Sequence, residues 1–333
     1  MEAVVYETVG RAAIKDVPEP SVDRGHVLIK VAYVGVCGTD VHVIEGRHNR
    51  ATPPVVLGHE FSGVIAEPNG VEDWRVGDRV AVEPLESCQH CDPCQAGRYN
   101  ICQRLRLLGI DSDGALAEYV AVQAHRLHRV PEGVSLRAAA FVEPLAVVTH
   151  LFRRTGAPDP GDRVLVFGGG PIGAIAADVA RAAGASTVVT ETQAFRPDFA
   201  TAGGHELLDL LDPDGLSGFV LGLEATGTSV GLDVVVGAVG PGGRIGVVGL
   251  PKGTNNLDVN AVIGKEIELV GSRVYTSQDF AEAMELIRCG QVDPERFITR
   301  TVGLRQAISS GLSAVADGDD VMKVLVDVGG FDD

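Results

Sequence analysis

The stretch DRVLVFGGGPIGAIAADVARAAGASTVVTE, residues 162–191, decides the fold of the second half of this chain. A short apolar run is followed by three glycines, then by small and apolar residues with helical spacing, then by a second β-branched run. These changes of period predict a strand, a tight turn, a helix and another strand. Strands joined by a helix in this way pair in parallel and form doubly wound sheets.

The turn carries the spacing G-x-G-x-x-G at Gly168, Gly170 and Gly173, with Pro171 and Ile172 between the last two glycines. The first glycine permits the turn, the second lets the backbone approach a pyrophosphate, and the third lets the helix pack on the strand. In this strand–turn–helix context the motif predicts a dinucleotide-binding site.

An acidic residue, Glu191, follows the second strand at the offset of about 20 residues where a carboxylate binds the ribose hydroxyls of NAD. Such a carboxylate would repel the additional phosphate of NADP, whereas the neighbouring Arg196 could accept that phosphate. The sequence therefore favours NAD and leaves NADP as the alternative.

Further apolar runs alternate with helical segments from residue 146 onward. They include GFVLGLEATG, GGRIGVVGL and EIELVGSRV, with SVGLDVVVGAV between the first two. This alternation predicts an α/β domain with a doubly wound parallel sheet. The first 145 residues instead contain short strands punctuated by glycine and proline, which indicates a separate, mostly β domain. The chain ends in MKVLVDV, a strand that we expect to pair back with that first domain.

The composition excludes several classes of function. The 333 residues carry a formal net charge of −17, which argues against a nucleic-acid partner because phosphate binding needs a basic face. No apolar run is long enough to predict a membrane span, and the amino terminus lacks the basic and apolar regions of a secretory signal. We expect a cytoplasmic protein with reduced cysteines and without a membrane partner.

Four of the six cysteines share one segment with the spacing C-x2-C-x2-C-x7-C: Cys88, Cys91, Cys94 and Cys102. Short spacings let one loop present several thiolates to one ion, and four thiolates close a tetrahedral zinc site that has no open position for chemistry. The spacing therefore predicts a structural zinc. The alternatives are free thiols, an iron–sulfur cluster, which uses other spacings, or a zinc ribbon that binds a partner macromolecule.

A second metal site is suggested by residues that lie far apart in the sequence. Cys37 lies in GVCGTD, His59 and Glu60 lie in LGHE, and Glu143 lies in VEPLAV. A catalytic zinc takes about three protein ligands and keeps one position open, and thiolate, imidazole and carboxylate are all suitable donors. From residue types alone the site is one hypothesis among others, because a single cysteine or a His-Glu pair is often a packing feature.

The order of GVCGTDVH, LGHEFSG, the four-cysteine loop, DGALAEYV, EPLAV and GGGPIG resembles the zinc-dependent medium-chain dehydrogenase family across nearly the whole chain. Glu143 makes the chain most similar to the branch of polyol, butanediol and threonine dehydrogenases. The resemblance implies a GroES-like catalytic domain over 1–145, a Rossmann NAD-binding domain over 146–278 and a return segment over 279–333 that completes the catalytic domain.

The resemblance also implies roles for the residues of the second metal site. Cys37 and His59 become direct ligands of a catalytic zinc, whereas Glu60 is a direct ligand or a nearby partner. Glu143 is a ligand or reaches the metal through water. Zinc lowers the pKa of a bound hydroxyl, so that an alcohol can be held as the alkoxide and pass a hydride to the nicotinamide.

Further residues acquire roles by the same resemblance. Thr39 hydrogen-bonds the substrate oxygen, and His42 is the outer end of a proton relay through the cofactor ribose. Thr226, Gly249 and Leu250 match loops that pass the nicotinamide half. The segment after Glu191 departs from the family in being short, and Pro197 is expected to interrupt its helix.

The substrate is the least constrained of these predictions. His48 and Asn49 are polar at a place where enzymes for simple alcohols are apolar, and Arg273 lies in a segment that reaches the active site in relatives. Leu108 and Ile110 are further candidates for the lining of the substrate site. Polar lining favours a polyol, cyclitol, aminocyclitol or related sugar-derived substrate, unless these residues lie on a rim and do not contact substrate.

Other functions remain as alternatives: a threonine or butanediol-type dehydrogenase, a zinc-independent reductase on the same scaffold, and a non-catalytic zinc-binding protein. The metal-site residues speak against the reductase, and the glycine turn speaks against the non-catalytic protein. We expect a homodimer or homotetramer that forms through an exposed edge of the nucleotide-domain sheet.

Overall fold

The computed structural model describes residues 1–193, 195–208, 216–250, 253 and 256–331. The chain divides into two compact units, which we call the β-rich unit (Met1–Pro144 with Thr276–Asp333) and the α/β unit (Leu145–Tyr275). The boundaries expected from the sequence, after residues 145 and 278, lie slightly further along the chain. None of the helices in the described part of the chain combines the length and the apolar character that a bilayer crossing requires.

The strands are short, as expected for a chain with frequent glycine and proline. They are β1 (Glu2–Thr8), β2 (Arg11–Asp16), β3 (His26–Val36), β4 (Val55–Val56), β5 (Glu60–Glu67), β6 (Arg79–Val82), β7 (Leu85–Glu86), β8 (Arg106–Leu107), β9 (Tyr119–Gln123), β10 (Leu127–Arg129), β11 (Arg163–Phe167), β12 (Ser186–Thr190), β13 (Glu206–Leu207), β14 (Phe219–Glu224), β15 (Val239–Val247), β16 (Glu268–Gly271), β17 (Ile298–Gly303) and β18 (Lys323–Asp327).

The helices are α1 (Gly38–Ile44), α2 (Asp92–Gln95), α3 (Leu136–Ala139), α4 (Val142–Thr155), α5 (Pro171–Ala182), α6 (Arg196–Ala202), α7 (Ser229–Ala238), α8 (Val259–Lys265), α9 (Ser277–Arg288), α10 (Pro294–Phe297) and α11 (Ser313–Ala316). Short 3-10 helices lie at Tyr99–Ile101, Ala124–Arg126 and Leu304–Gln306, and a π-helical segment at Ala307–Leu312 leads into α11.

The β-rich unit is organised around β3. This strand pairs antiparallel with β5 on one side. On its other side it pairs antiparallel with β9 through its first residues and with β18 through its last residues, within a seven-stranded sheet of order β10-β6-β5-β3-β18-β17 to which β9 is added. The carboxyl-terminal half of β3 is buried on both faces, which explains why its sequence changes from alternating to continuously apolar. The last strand of the chain is therefore a central strand of the first unit.

The α/β unit has a six-stranded sheet of order β13-β12-β11-β14-β15-β16, in which every pair is parallel. Strand order runs outward in both directions from β11, so the connections turn to opposite sides on leaving it. Such a switch point opens a crevice at the carboxyl ends of the strands, where ligands of doubly wound sheets bind. The predicted α/β class with a parallel sheet is confirmed.

The prediction that Pro197 interrupts its helix is wrong. Helix α6 begins at Arg196, so Pro197 occupies its first turn, where the missing amide proton would have had no partner within the helix. The helix has only 7 residues. Positions 194 and 209–215 of the same segment lie outside the described residues.

Candidate active site

The glycine turn has the geometry that dinucleotide binding needs. Gly168 follows β11 with φ of 104°, a conformation that side-chain-bearing residues rarely adopt. A Cβ at Gly173 would collide with the carbonyl oxygen of Gly168, so the absence of a side chain lets α5 pack against the turn. Gly170 is the N-cap of α5 and Pro171 its first residue, which leaves the amides of that first turn available for an anion.

The Glu191 carboxylate lies beside this turn. Its Oε1 accepts hydrogen bonds from the backbone amides of Thr192 (2.6 Å) and Gln193 (3.0 Å), and Arg196 Nη1 donates to Oε2 at 3.2 Å. Burial raises the pKa of Glu191. The hydrogen bonds from the two amides and then the charge of Arg196 lower that pKa by more, so the net shift is downward. A Cβ at Gly169 would stand in contact with the Glu191 side chain.

The loops that follow β14 and β15 meet at the same edge of the sheet. The buried Glu224 carboxylate accepts hydrogen bonds from the amides of Thr226 (2.8 Å) and Gly227 (3.0 Å). A Cβ at Gly249 would collide with the Gly227 amide, and one at Gly227 would collide with the Leu250 carbonyl. The loops with Thr226, Gly249 and Leu250 are therefore packed together and held by Glu224, which we did not single out from the sequence.

The four-cysteine loop is closed at its base by the pairing of β7 with β8. The four Sγ atoms lie within 4.8 Å of one another, with 3.4 Å between Cys91 and Cys94, 3.8 Å between Cys91 and Cys102, and 3.9 Å between Cys88 and Cys94. Four sulfurs at about 2.3 Å from a tetrahedral zinc would lie roughly 3.8 Å apart. The loop can therefore surround one zinc ion with thiolates.

The electrostatics of the loop also suit a cation. Contact with backbone amides, that of His90 first, lowers the pKa of the Cys88 thiol to about 5. Loss of hydration, together with the neighbouring Cys91, raises the pKa of Cys94 to about 12. The loop thus stabilises some thiolates but not four negative charges at once, and a divalent cation is the group that would compensate them.

A second donor cluster consists of Cys37, His59 and Glu60, whose ligand atoms all lie within 4.8 Å of one another. Cys37 immediately precedes α1, His59 immediately precedes β5, and Glu60 is the first residue of β5. The pairing of β3 with β5, in which Gly35 lies opposite Glu60, brings these two segments side by side. His59 and Glu60 are buried, so their donor atoms are withheld from competing water.

Asp40 connects the two segments. Its Oδ2 accepts a hydrogen bond from the Cys37 amide (2.9 Å), and its Oδ1 accepts one from the Gly58 amide (3.4 Å). Its Oδ1 also lies 3.4 Å from His59 Nδ1, an ion-pair distance without the alignment of a hydrogen bond. A histidine that binds a metal through one ring nitrogen commonly turns the other toward a carboxylate, and Asp40 stands in that position beside His59.

Charge at this cluster favours a cation as well. Burial lowers the pKa of His59, but the charge of Asp40 and contacts with Asp40 and Cys37 raise it, and the net result lies well above the usual value. A position where imidazole gains a proton so readily is one where the surrounding groups stabilise positive charge. Thiol, imidazole and carboxylate in such surroundings fit zinc.

Glu143, the fourth residue considered for this site, is buried in the first turn of α4 but is not a member of the cluster within 4.8 Å. Its charge nevertheless contributes to raising the pKa of Lys323, whose other neighbours are Glu60 and Cys37. The described geometry thus brings Glu60 next to Cys37 and His59 and leaves Glu143 nearby.

Lys323 is a buried cation that we did not single out from the sequence. Its Nζ donates to both oxygens of Glu60, at 2.9 Å and 2.7 Å, and lies 3.4 Å from the Val36 carbonyl oxygen. Burial lowers its pKa, but Glu60 and then Cys37 raise it above the usual value, so the ammonium stays charged. The signal in the sequence was a single lysine inside the apolar strand VMKVLVDV, where a charge needs a partner.

The remaining predicted residues of the β-rich unit lie on α1 or just after it. Thr39 Oγ1 lies 3.6 Å from Cys37 Sγ, and His42 is half-buried on the same helix. His48, which is half-buried, and Asn49, which is exposed, follow the end of α1.

Three other candidates for substrate contact lie away from α1. Leu108 and Ile110 are buried, and Ile110 is among the largest fully buried side chains, so both belong to the core of the β-rich unit. Arg273 is exposed in the segment after β16 of the α/β unit.

Two family models match the chain. The "Alcohol dehydrogenase GroES-like domain" matches residues 23–132, which contain the four-cysteine loop and the donor cluster of Cys37, His59 and Glu60. The "Zinc-binding dehydrogenase" model matches residues 171–288. The two matches lie in the order in which the sequence predicted the domains.

Named relatives of similar length support the same family. The chain is 37% identical over 314 residues to 2-dehydro-3-deoxy-L-galactonate 5-dehydrogenase of Pseudoalteromonas atlantica, which covers 91% of this chain and 92% of that protein. It is 31% identical to sorbitol dehydrogenase of Bacillus subtilis, covering 98% and 97% of the two chains. A protein of Sinorhizobium meliloti, solved as a crystal structure bound to NADP, matches with a TM-score of 0.90 and 29% identity over 98% of each chain.

These matches confirm that the protein is an oxidoreductase that uses zinc and a nicotinamide dinucleotide. The coverage of both chains is nearly complete, so the likeness extends from the GroES-like fold to the Rossmann sheet. The chain belongs to the zinc-dependent medium-chain dehydrogenase family, as its motifs predicted.

Proposed function

We propose that this enzyme oxidises a secondary alcohol of a polyol, cyclitol, aminocyclitol or related sugar-derived substrate to the ketone, with NAD as the hydride acceptor. The observation that carries the proposal is the meeting of the donor atoms of Cys37, His59 and Glu60 within 4.8 Å of one another. Three donors leave one position of a tetrahedral ion for the substrate oxygen, which is the arrangement of a catalytic rather than a structural site.

In this proposal the two clusters have different roles. Cys37, His59 and Glu60 hold the catalytic zinc, with Glu143 as a nearby carboxylate, and the four-cysteine loop holds the structural zinc. Zinc held by Cys37, His59 and Glu60 would supply a Lewis acid that lowers the pKa of the alcohol hydroxyl. Asp40 orients Cys37 and His59 through its contacts with both segments.

Thr39 and His42 provide a route for the alcohol proton. Thr39 Oγ1 lies close to Cys37 Sγ and would hydrogen-bond a substrate oxygen bound to the zinc. His42 lies on the same helix and is half-buried, so its imidazole can reach water and pass a proton to it. We assign Thr39 to the substrate oxygen and His42 to the outer end of the route.

The preference for NAD over NADP rests on Glu191. The glycine turn at Gly168, Gly170 and Gly173, with Pro171 and Ile172, would hold the pyrophosphate, and the loops of Thr226, Gly249 and Leu250 the nicotinamide half. Arg196, the residue that could accept a 2′-phosphate, donates to Glu191 instead. A carboxylate in that place accepts the ribose hydroxyls and repels a phosphate.

The substrate class rests on polarity near the metal cluster and on relatives whose names refer to sugar-derived substrates. His48 and Asn49 would contact hydroxyl groups of the substrate, and Arg273 would add a positive charge for a substrate that carries a carboxylate. The second candidate is a threonine or butanediol-type dehydrogenase, whose substrates also have a secondary hydroxyl.

A panel of substrates decides between these candidates. We expect the zinc-loaded enzyme to reduce NAD with sugar alcohols, cyclitols or aldonates at a kcat/KM at least about 10-fold above that with butanediol, threonine or long aliphatic alcohols. The measurement is NADH absorbance under initial-rate conditions, with metal-stripped enzyme as the control. Turnover of threonine or butanediol alone would favour the second candidate, and no NAD reduction with any alcohol would contradict the proposed activity.

Replacing Glu191 by alanine should change cofactor selectivity. We expect the ratio of kcat/KM for NAD to that for NADP to fall roughly 10- to 100-fold, because two charge-assisted hydrogen bonds are lost and Arg196 is released. The matched control is Asp233→Ala, an exposed carboxylate on α7 of the same unit. An unchanged ratio in the Glu191 variant would assign selectivity to another residue.

We also propose that the enzyme assembles as a homodimer or homotetramer through β16. This strand lies at one edge of the α/β sheet, and Leu269 on it is 41% exposed. Nearby helix α8 exposes Val259 and Ile263 as well. A row of unpaired backbone groups beside exposed apolar side chains favours pairing with a second copy.

A further inference from the structure

The ion pair between Glu60 and Lys323 crosses over strand β3 and joins the two strands on either side of it. Glu60 begins β5 and Lys323 begins β18, and β3 runs between them. The Glu60 side chain passes over Gly35, which lies opposite Glu60 on one side and opposite Leu325 on the other. Lys323 meets it from the β18 side, next to the Val36 carbonyl. Lys323 is two residues before Leu325 and therefore points to the same face of the sheet.

Gly35 makes this contact possible. A Cβ at Gly35 would collide with Glu60 Oε2 and crowd its Cβ and Cδ atoms, at 3.1 Å and 3.2 Å. Any larger residue would fill the space through which the carboxylate and the ammonium meet. A glycine inside a buried strand often marks such a close approach. The ion pair therefore depends on the absence of a side chain at Gly35.

The pair is costly to bury. Glu60 is 2% exposed and Lys323 4% exposed, so each ion has lost nearly all its hydration. Buried pairs of this kind are seldom more stable than apolar residues of similar volume. Stability alone therefore does not explain why this ion pair is buried. Glu60 is also a member of the donor cluster with Cys37 and His59, so the pair can act on metal binding.

We propose that Lys323 is a positioning residue that shares the Glu60 carboxylate with the catalytic metal and so limits how firmly that carboxylate binds it. This inference rests on the proposed zinc site at Cys37, His59 and Glu60. Lys323 holds both oxygens of Glu60, so a metal must compete with a full positive charge for that donor. The carboxylate then remains a weak ligand that a substrate oxygen can displace.

The test uses Co²⁺, whose visible absorption bands report its ligands. A chelator first removes the metal of the Cys37 site from the full-length enzyme, and retention of about one zinc per chain verifies that the four-cysteine site is intact. Co²⁺ is then titrated into the wild type and Lys323→Met. We expect Lys323→Met to bind Co²⁺ at least about 10-fold more tightly, because a repelling charge is gone and Glu60 is released to the metal.

The absorption bands separate positioning from simple charge repulsion. Lys323→Met should shift the bands, and the same substitution in a Glu60→Gln background should leave them where Glu60→Gln alone places them. Lys323→Arg, which keeps the charge, should resemble the wild type. Lys15→Met, which removes an exposed lysine paired with Glu7 in the same unit, should match the wild type in both affinity and bands.

Several outcomes would overturn the inference: unshifted bands in Lys323→Met, an equal shift in the Glu60→Gln background, or weaker Co²⁺ binding. If Lys323→Met does not fold, Lys323→Gln carries the same expectations. A wild type that binds no Co²⁺ after chelation would instead contradict the proposed catalytic site, so the two failures are distinguishable.

Discussion

Replacing Cys37 by serine is expected to lower kcat/KM by at least about a thousandfold while the fold is retained, because the Lewis acid contributes several kcal/mol to the reaction. Serine is nearly isosteric but offers a neutral hydroxyl in place of a thiolate, so the cluster with His59 and Glu60 loses its softest donor. Cys37 lies at the start of α1 and is only partly buried, so little packing is lost.

The measurement combines initial rates with zinc content and thermal unfolding. We expect the zinc content to fall from about two to about one per chain, with Tm within a few degrees of the wild type. The matched control is Cys289→Ser, an exposed cysteine outside both clusters, which should keep two zinc ions and nearly full activity. A Cys37 variant that retained both zinc ions and its turnover would remove Cys37 from the proposed site.

Replacing Cys91 by serine is expected to have its main effect on stability. A closed four-thiolate site contributes its metal-binding free energy to folding, and we expect Tm to fall by about 10 °C as zinc is lost from the loop. The loop is anchored to the rest of the β-rich unit by Arg126, which donates to Ser87 at 2.8 Å and lies over the Tyr99 ring. Loss of zinc from the loop should therefore also weaken the contacts of Arg126 with Ser87 and Tyr99.

Differential scanning calorimetry and zinc analysis test this expectation, again with Cys289→Ser as the control. A second line of support would be faster loss of one zinc to a chelator from the Cys91 variant than from the wild type. An unchanged Tm together with two bound zinc ions would show that the loop does not hold a structural zinc.

Much of the candidate site could be predicted because its signals are local. The four cysteines lie within 15 residues, so their spacing alone restricts the geometry that one loop can adopt. The glycine turn and its flanking strand and helix are likewise contiguous. Pro197 was misjudged for a related reason: a proline is compatible with the first turn of a helix, and only the observed start of α6 shows that it lies there.

The predictions for Leu108 and Ile110 as lining residues stay predictions, because burial alone does not decide them. Apolar residues near a predicted site can line it or pack beneath it, and the sequence pattern is the same in both cases. Burial depends on which strands and loops cover the side chain, and Ile110 is only 1% exposed. Lys323 could not be predicted, because it has no motif around it and acquires its partner only through strand pairing.

By itself, the sequence determined the family, the two-domain order, the four-cysteine loop and the dinucleotide turn, because each depends on spacing along a short segment or on motifs in a fixed order. Only the tertiary structure decided which donors meet at the second cluster, that Arg196 is paired with Glu191, and that Lys323 holds Glu60 across Gly35. The physical reason is sheet register: β3 sets β5 and β18 beside it, and so joins two residues 263 positions apart.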